Sequence, residues 1–154
     1  MSSLKLLMHN MTEEKIPSRL AFPFFQEVPT RWMDSDVYGH VNNVEYYSYM
    51  DTAVNMHLIK SGVLNTQSSE AFGVVVESGC RFFTEIVYPE SIQVGIRVTK
   101  LGNSSVTYQL GLFKENIDEL AALGHFVHVY VNRGTRRPVP VPHAFRSALA
   151  KLIQ

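Results

Sequence analysis

Across residues 44–60 the chain carries one long helical pattern whose polar side is narrow. Val44, Tyr46, Tyr47, Tyr49, Met50, Ala53, Val54, Met56, Leu58 and Ile59 cover most of the circumference. Only Glu45, Ser48, Thr52 and Asn55 form a polar stripe. A helix that is apolar nearly all round has to be wrapped by other structure on most of its sides. Asn42 or Asn43 supplies an N-cap, and Gly62 follows Lys60 as a C-terminal stop. The partner that wraps this helix has to come from the rest of a 154-residue chain, a length that allows one domain with a real core and no second of ordinary size.

The wrapping material is extended. Residues 25–33 alternate loosely and are rich in β-formers, and Pro29 confines that segment to a sheet edge or a bulge. After the helix come four β-branched, aromatic stretches, at 72–88, 92–101, 105–114 and 120–132. Short turn sequences such as Pro89-Glu90-Ser91 and Gly102-Asn103-Ser104 separate them. Consecutive strands with tight turns predict an antiparallel meander. Residues 142–153 space Phe145, Leu149 and Leu152 for a short C-terminal helix, with Pro142 in its first turn. The expected class is therefore α+β: a long central helix wrapped by an antiparallel sheet of about five strands, with a short helix at the end. Residues 1–23 read as a lead-in and 24–154 as the single domain.

Composition excludes several function classes. Fourteen basic residues balance fourteen acidic ones, so the electrostatic footprint of a nucleic-acid or anionic-membrane binder is absent. No stretch approaches the ~20 apolar residues of a membrane span, and the Leu4, Leu6, Leu7, Met8 cluster is too short for a signal-peptide core. Cys80 is the one cysteine, so an internal disulfide cannot form; a reducing, cytoplasmic setting is expected, with Cys80 as a small buried hydrophobe. The sequons at Asn10 and Asn103 carry no weight there.

Chemistry concentrates between the first strand and the helix, in Arg31-Trp32-Met33-Asp34-Ser35-Asp36-Val37-Tyr38-Gly39-His40-Val41-Asn42-Asn43. Three readings compete. A calcium loop would use Asp34, Asp36, Gly39 and Glu45 at positions 1, 3, 6 and 12, but Tyr38 stands where an oxygen ligand is needed, and Pro23 and Pro29 leave no incoming helix. A zinc site fares no better, because His125 and His128 are three apart on a strand and point to opposite faces. The second reading is structural: the acids satisfy loop amides and the asparagines cap the helix. The third is catalytic, with an aspartate beside a helix N-terminus as nucleophile or general base and a first-turn backbone N–H polarising a carbonyl.

The run Arg31-Trp32-x-Asp34-x-Asp36-x-x-Gly39-His40-Val41-Asn42-Asn43-x-x-Tyr46-x-x-Tyr49 resembles the signature of the 4-hydroxybenzoyl-CoA thioesterase family of hotdog-fold acyl-CoA thioesterases, in its Gly-His-Val-Asn-Asn subgroup. The likeness continues through Tyr88-Pro89-Glu90-Ser91, residues 98–105 and residues 136–142, and covers about 25–152. The resemblance implies the hotdog architecture, to which the buried-helix pattern leads separately. It implies hydrolysis of a thioester to carboxylic acid and thiol with neither metal nor cofactor. Asp36 would be the catalytic carboxylate, Asp34 a supporting loop residue, and the Asn43 backbone N–H the oxyanion donor. His40 stands near the reacting groups and weighs more toward a structural role.

Tyr46, Tyr47 and Tyr49 read as core or interface packing, with Tyr46 near enough to the helix start to touch substrate as well. Relatives place basic side chains near residues 100–104 to hold CoA phosphates; here Gly102 and Ser104 occupy two of those places and Lys100 remains. A charged pairing on the helix is also missing or rearranged, since many relatives carry Glu and then Ala-Arg where this chain has Asp51 and then Ala53-Val54. The implied partners are an acyl-CoA or an acyl-carrier-protein thioester and further copies of the chain, as homodimer or tetramer, with neither nucleic acid nor membrane. The rival function is a non-catalytic acyl-CoA-binding or assembly protein on the same fold. A hotdog hydratase would require a different Asp/His pair.

Overall fold

The computed structural model describes residues 15–154. The leucine cluster at 4–8 and the Asn10 sequon lie outside them. Five strands, β1 (Phe24–Pro29), β2 (Ala71–Phe82), β3 (Ser91–Leu101), β4 (Ser105–Lys114) and β5 (Leu120–Asn132), form one sheet with two helices, α1 (Asn43–Lys60) and α2 (His143–Ala150). This is the α+β arrangement expected from the sequence. No helix among the described residues is long and apolar enough to cross a membrane.

The strand order is β1-β3-β4-β5-β2, every neighbouring pair antiparallel. The meander is therefore limited to β3-β4-β5. β2 crosses to the far side of β5, pairing Ala71 with Asn132 and Phe82 with Ala122. Its other edge has no partner strand among the described residues. The reason is the helix: α1 lies between β1 and β2 in the chain, and β2 has to clear it before it can join the sheet. Beyond Phe82 the expected strand ends, because the Phe83 and Thr84 amides both turn onto the Ala121 carbonyl. The next segment then dives under the helix start, where Ile86 is fully buried.

The first strand also stops early, at Pro29 instead of 33. Pro29 has no N–H for the ladder, the Thr30 hydroxyl donates to the Glu90 carbonyl at 2.6 Å, and Trp32–Asp34 closes a single 3-10 turn.

Inward-facing residues of the strands, Ile92, Val94, Ile96, Val98, Leu110, Leu112 and Phe126 among them, meet Tyr46, Tyr49, Met50, Ala53, Val54 and Leu58 of α1. Met50 sits so close to Gly124 that a Cβ there would collide with its sulfur. The exposed stripe of the helix is Val44, Ser48, Asp51, Thr52 and Ile59. Asn42 caps α1, its side chain accepting from the Val44 amide at 3.2 Å. Gly62 follows the helix at φ +75°, a conformation that favours glycine. α2 is shorter than the pattern, with Pro142 outside it as the capping residue, but Phe145, Leu149 and Leu152 are buried as expected.

On the outer face, Gly95 and Gly111 stand opposite each other in register, and Phe22 fills the space they leave. A Cβ on either would come within 2.7 Å of its ring. Arg19 lies over the Phe25 and Phe113 rings and donates to Gln93 at 2.6 Å. Residues 19–22 of the expected lead-in are thus fastened to the sheet.

Candidate active site

The loop between β1 and α1 is built around Asp34, whose side chain is fully buried. Its Oδ2 accepts from the Arg31 amide at 2.8 Å and the Tyr49 hydroxyl at 2.5 Å, its Oδ1 from Arg31 Nε at 2.9 Å. Its carbonyl takes the Asn42 amide at 2.9 Å. Burial pushes the carboxyl pKa up, but the Tyr49 hydroxyl and the Arg31 amide and guanidinium outweigh it and hold the group below the usual carboxylate range. Burial and Asp34 together drive the Tyr49 hydroxyl far upward, so it remains a donor. Arg31 also reaches Glu45 at 3.3 Å. One buried acid thereby ties the loop to the second turn of α1.

From that anchor the chain makes a small excursion. Ser35 and Val41 form an isolated antiparallel bridge, and between them Asp36 N–H donates to the His40 carbonyl at 3.1 Å and Gly39 N–H to the Asp36 carbonyl at 3.2 Å. Gly39 takes φ +87° to close the turn. Asp36 Oδ1 accepts from the Tyr38 amide at 2.8 Å; among the described residues nothing donates to Oδ2. Val41 N–H then donates to the Ile86 carbonyl at 2.8 Å, fixing the loop on the segment that follows β2.

The helix begins directly after. Asn43 is its first residue, and because Asn42 caps the Val44 amide instead, the Asn43 N–H has no acceptor among the described residues. A half-exposed carboxylate oxygen without a partner and an unpartnered first-turn N–H thus belong to the same short, tied-down loop. That pairing suits attack on a polarised carbonyl.

The other expected residues are placed less centrally. The His40 ring lies 3.4 Å from its neighbour's carbonyl and 3.9 Å from a Glu85 oxygen. No hydrogen bond joins it to the Asp36 carboxylate. Tyr46 is buried, its ring edge-on to Phe82 at 4.9 Å, and burial pushes its hydroxyl up to about 12. It is a core residue under the helix start. Lys100 is exposed near the end of β3, whereas the base of the Asp36 loop is hydrogen-bonded at the Ser91 end. At ~3.3 Å per residue that is roughly 30 Å away within one protomer. Cys80 is only half-buried, and loss of solvation pushes its thiol up to about 12, so it is an inert side chain.

Two groups lay outside the sequence reading. Large apolar side chains surround the loop in the open: Trp32, Met33, Val37, Tyr38 and Val44 are each more than half exposed. A cavity of about 200 Å³ opens under the second half of α1, where Leu58, Phe72, Tyr130 and Phe145 meet His128. His128 shares its strand parity with Phe126 and Tyr130, a signal that could have turned it inward, though not beside Phe72.

The thioesterase-like superfamily model matches residues 29–149, from the end of β1 into α2. Among solved structures, the chain is similar to the PA5185 protein of Pseudomonas aeruginosa strain PAO1, at 50% identity and TM-score 0.87 over 90% of this chain and 96% of that one. It is similar in fold to Slr0204 of Synechocystis, a 1,4-dihydroxy-2-naphthoyl-CoA thioesterase, at 18% identity and TM-score 0.76 over 84% and 96%. Among curated proteins, YsmA of Bacillus subtilis (strain 168), itself uncharacterized, is 25% identical over 79% of this chain and 81% of its own length. The family match begins in the strand that leads to the Asp36 loop and ends in the helix that closes the sheet; taken with that architecture, it makes this chain a hotdog-fold member of the thioesterase-like superfamily.

Proposed function

We propose that this chain is an acyl-CoA thioesterase of the 4-hydroxybenzoyl-CoA thioesterase type, which acts as a homodimer or a tetramer built from such dimers. What supports it is the presence in one tied-down loop of the unpartnered Asp36 Oδ2 and the unpartnered Asn43 N–H. The thioester carbonyl oxygen sits on the Asn43 N–H, at the positive end of α1. Asp36 either adds to the carbonyl carbon, expelling thiolate and leaving a mixed anhydride that water cleaves, or takes the proton of a water that adds instead. Both routes give carboxylic acid and free thiol. Asp34, Arg31 and Tyr49 hold the loop in register, and His40 lends polarity near the reacting groups without a direct bond to Asp36. An acyl-carrier-protein thioester presents the same carbonyl and is an equivalent substrate.

What supports assembly is the open edge of β2, where Val75 and Val76 are 48% and 60% exposed. A second copy adding antiparallel there satisfies both edges and covers apolar surface. In such a pair Lys100 of one copy is carried toward the Asp36 loop of the other, where a cation can meet the CoA phosphates.

The Asn43 amide offers a clean test. Proline is tolerated as the first residue of a helix, and Asn42 already has the extended conformation that precedes proline. Asn43→Pro removes the N–H and keeps the helix, and is expected to lower kcat for thiol release by about 10²–10³-fold, while Asn43→Ala keeps near-parental turnover. Equal activity in all three proteins would rule out the amide.

A further inference from the structure

Between Phe82, where β2 ends, and Ser91, where β3 begins, the chain has to pass β5 and β4, a shift of about 14 Å at ~4.8 Å per strand. Among the described residues this crossover joins no strand ladder, so its buried backbone groups need partners one by one. The Phe83 and Thr84 amides go to the Ala121 carbonyl. Beyond them, three contacts reach the segment that carries Asp36.

The Thr30 hydroxyl, at the start of that segment, donates to the Glu90 carbonyl at 2.6 Å. The Trp32 ring stands edge-on to Tyr88 with centroids 5.6 Å apart. Near the end, the Val41 amide donates to the Ile86 carbonyl at 2.8 Å. Thr30 and Val41 are both buried, so water does not readily replace either bond. Val41 also bridges Ser35, the residue before Asp36, and stands two residues ahead of Asn43. The crossover therefore holds the reacting loop where it begins and where it leads into the helix.

What shapes the crossover is Glu90. Its Oε2 accepts from the Val87 amide at 2.7 Å, while its own amide donates to the Val87 carbonyl at 2.9 Å. This reciprocal pair closes residues 87–90 into a turn, directly after the fully buried Ile86. Its Oε1 lies 3.7 Å from Lys114 Nζ, at the end of β4. An ionised acceptor makes a stronger bond to an amide than a neutral one does. The side chain thus turns back onto its own main chain, and the carbonyl of the same residue takes the Thr30 hydroxyl.

We propose that Glu90 is a positioning residue for thioester hydrolysis. By closing the 87–90 turn it aims the Ile86 carbonyl at Val41 and its own carbonyl at Thr30, and so keeps the Asp36 carboxylate and the Asn43 N–H in register with each other. This role rests on the thioesterase reading and adds a residue to that site. Glu90 acts through the turn and touches no reacting atom. A displacement of about 1 Å at the reacting groups costs on the order of 10²-fold in rate. Lost register is felt in the transition state more than in binding, so it lowers kcat and spares KM.

The test follows thiol release from butyryl-, benzoyl- and dodecanoyl-CoA, with kcat and KM resolved on the one the parent cleaves fastest. Glu90→Ala is expected to lower kcat by about 10–100-fold with KM within about twofold, and to speed hydrogen exchange of the Val41 amide. Glu90→Gln, whose amide oxygen still accepts from Val87, stays within about threefold of the parent. Thr30→Val keeps the shape, removes the donor and also lowers kcat. Combined with Glu90→Ala it costs less than the product of the two losses, because both act through one turn. Phe22→Ala, on the outer face, controls for stability: it is destabilised and keeps the parental kcat. Glu90→Ala with parental kcat or parental exchange at Val41 overturns the role, and so does Glu90→Gln as slow as Glu90→Ala. A Phe22→Ala protein slowed as much as Glu90→Ala overturns it too, since the loss then follows stability. Should Glu90→Ala not fold, Thr30→Val at parental kcat is the overturning result. All of these leave the thioesterase reading standing; no thiol release by the parent from any of the three compounds overturns both.

Discussion

Asp34 and Asp36 stand two residues apart in the same loop, and their oxygens meet different fates. Those of Asp34 are consumed by Arg31 and Tyr49, whereas Asp36 keeps one oxygen open in the loop that leads into the helix. Spacing alone could not divide their hydrogen bonding; the Tyr49 hydroxyl, one turn beyond the first helical residues, does. Tyr49→Phe removes one donor from a buried carboxylate that Arg31 still holds, and is expected to cost about 1–3 kcal/mol in urea unfolding. The acid dependence follows from the depressed Asp34 carboxyl. Because its folded value lies below the unfolded ~3.9, its stabilisation is fully present above that pH and disappears as the pH falls through the folded value. Chemical-denaturation midpoints of parent and Asp34→Asn should therefore converge below about pH 4 and separate above it; a constant gap across that window contradicts the ion pair. Asp36, His40 and Asn43 could be proposed from sequence because they share one short loop. The cavity wall of Leu58, Phe72, His128 and Tyr130 could not, since 70 residues separate Leu58 from His128 and only the strand order unites them.

At the scale of elements, α1, β4 and β5 were readable nearly to their ends because each has one periodicity bounded by a cap or a turn. The failures share a cause. β1 and β2 were both drawn too long, since apolar character continues past Pro29 and past Phe82 while the hydrogen bonding does not: Trp32 and Ile86 belong to loop and helix support. The place of β2 beyond β5 was hidden for the same non-local reason. The Phe22 plug was hidden too, because its receptor is a pair of glycines, Gly95 and Gly111, that meet only across β3 and β4. Phe22→Ala should lower stability by about 3–5 kcal/mol, the usual cost of a buried phenylalanine, read as a lowered urea midpoint at unchanged slope. A loss below ~1 kcal/mol would show that the outer cluster does not hold the sheet.

For the whole molecule, the balanced charge removes long-range repulsion between copies, and the unpartnered β2 edge gives them a place to join. Near the middle of that strand the proposed two-fold pairing sets a residue against its own copy. Val76→Lys therefore brings two like charges together. Sedimentation velocity should find the parent at a multiple of 17.5 kDa and the variant shifted to 17.5 kDa, with thiol release lost in parallel, since in the proposed pair each site uses both chains. A parent that sediments at 17.5 kDa and is active would overturn the shared site.

The most direct test remains chemical. Free thiol is titrated as acyl-CoAs of short, long, branched and aromatic type are mixed with the parent and with Asp36→Asn, an exchange that keeps the size and the Oδ1 contact to Tyr38. Turnover should fall by about 10²–10⁴-fold on every substrate the parent cleaves, with circular dichroism and assembly unchanged. Parent and variant releasing thiol at the same rate would contradict the account at its centre.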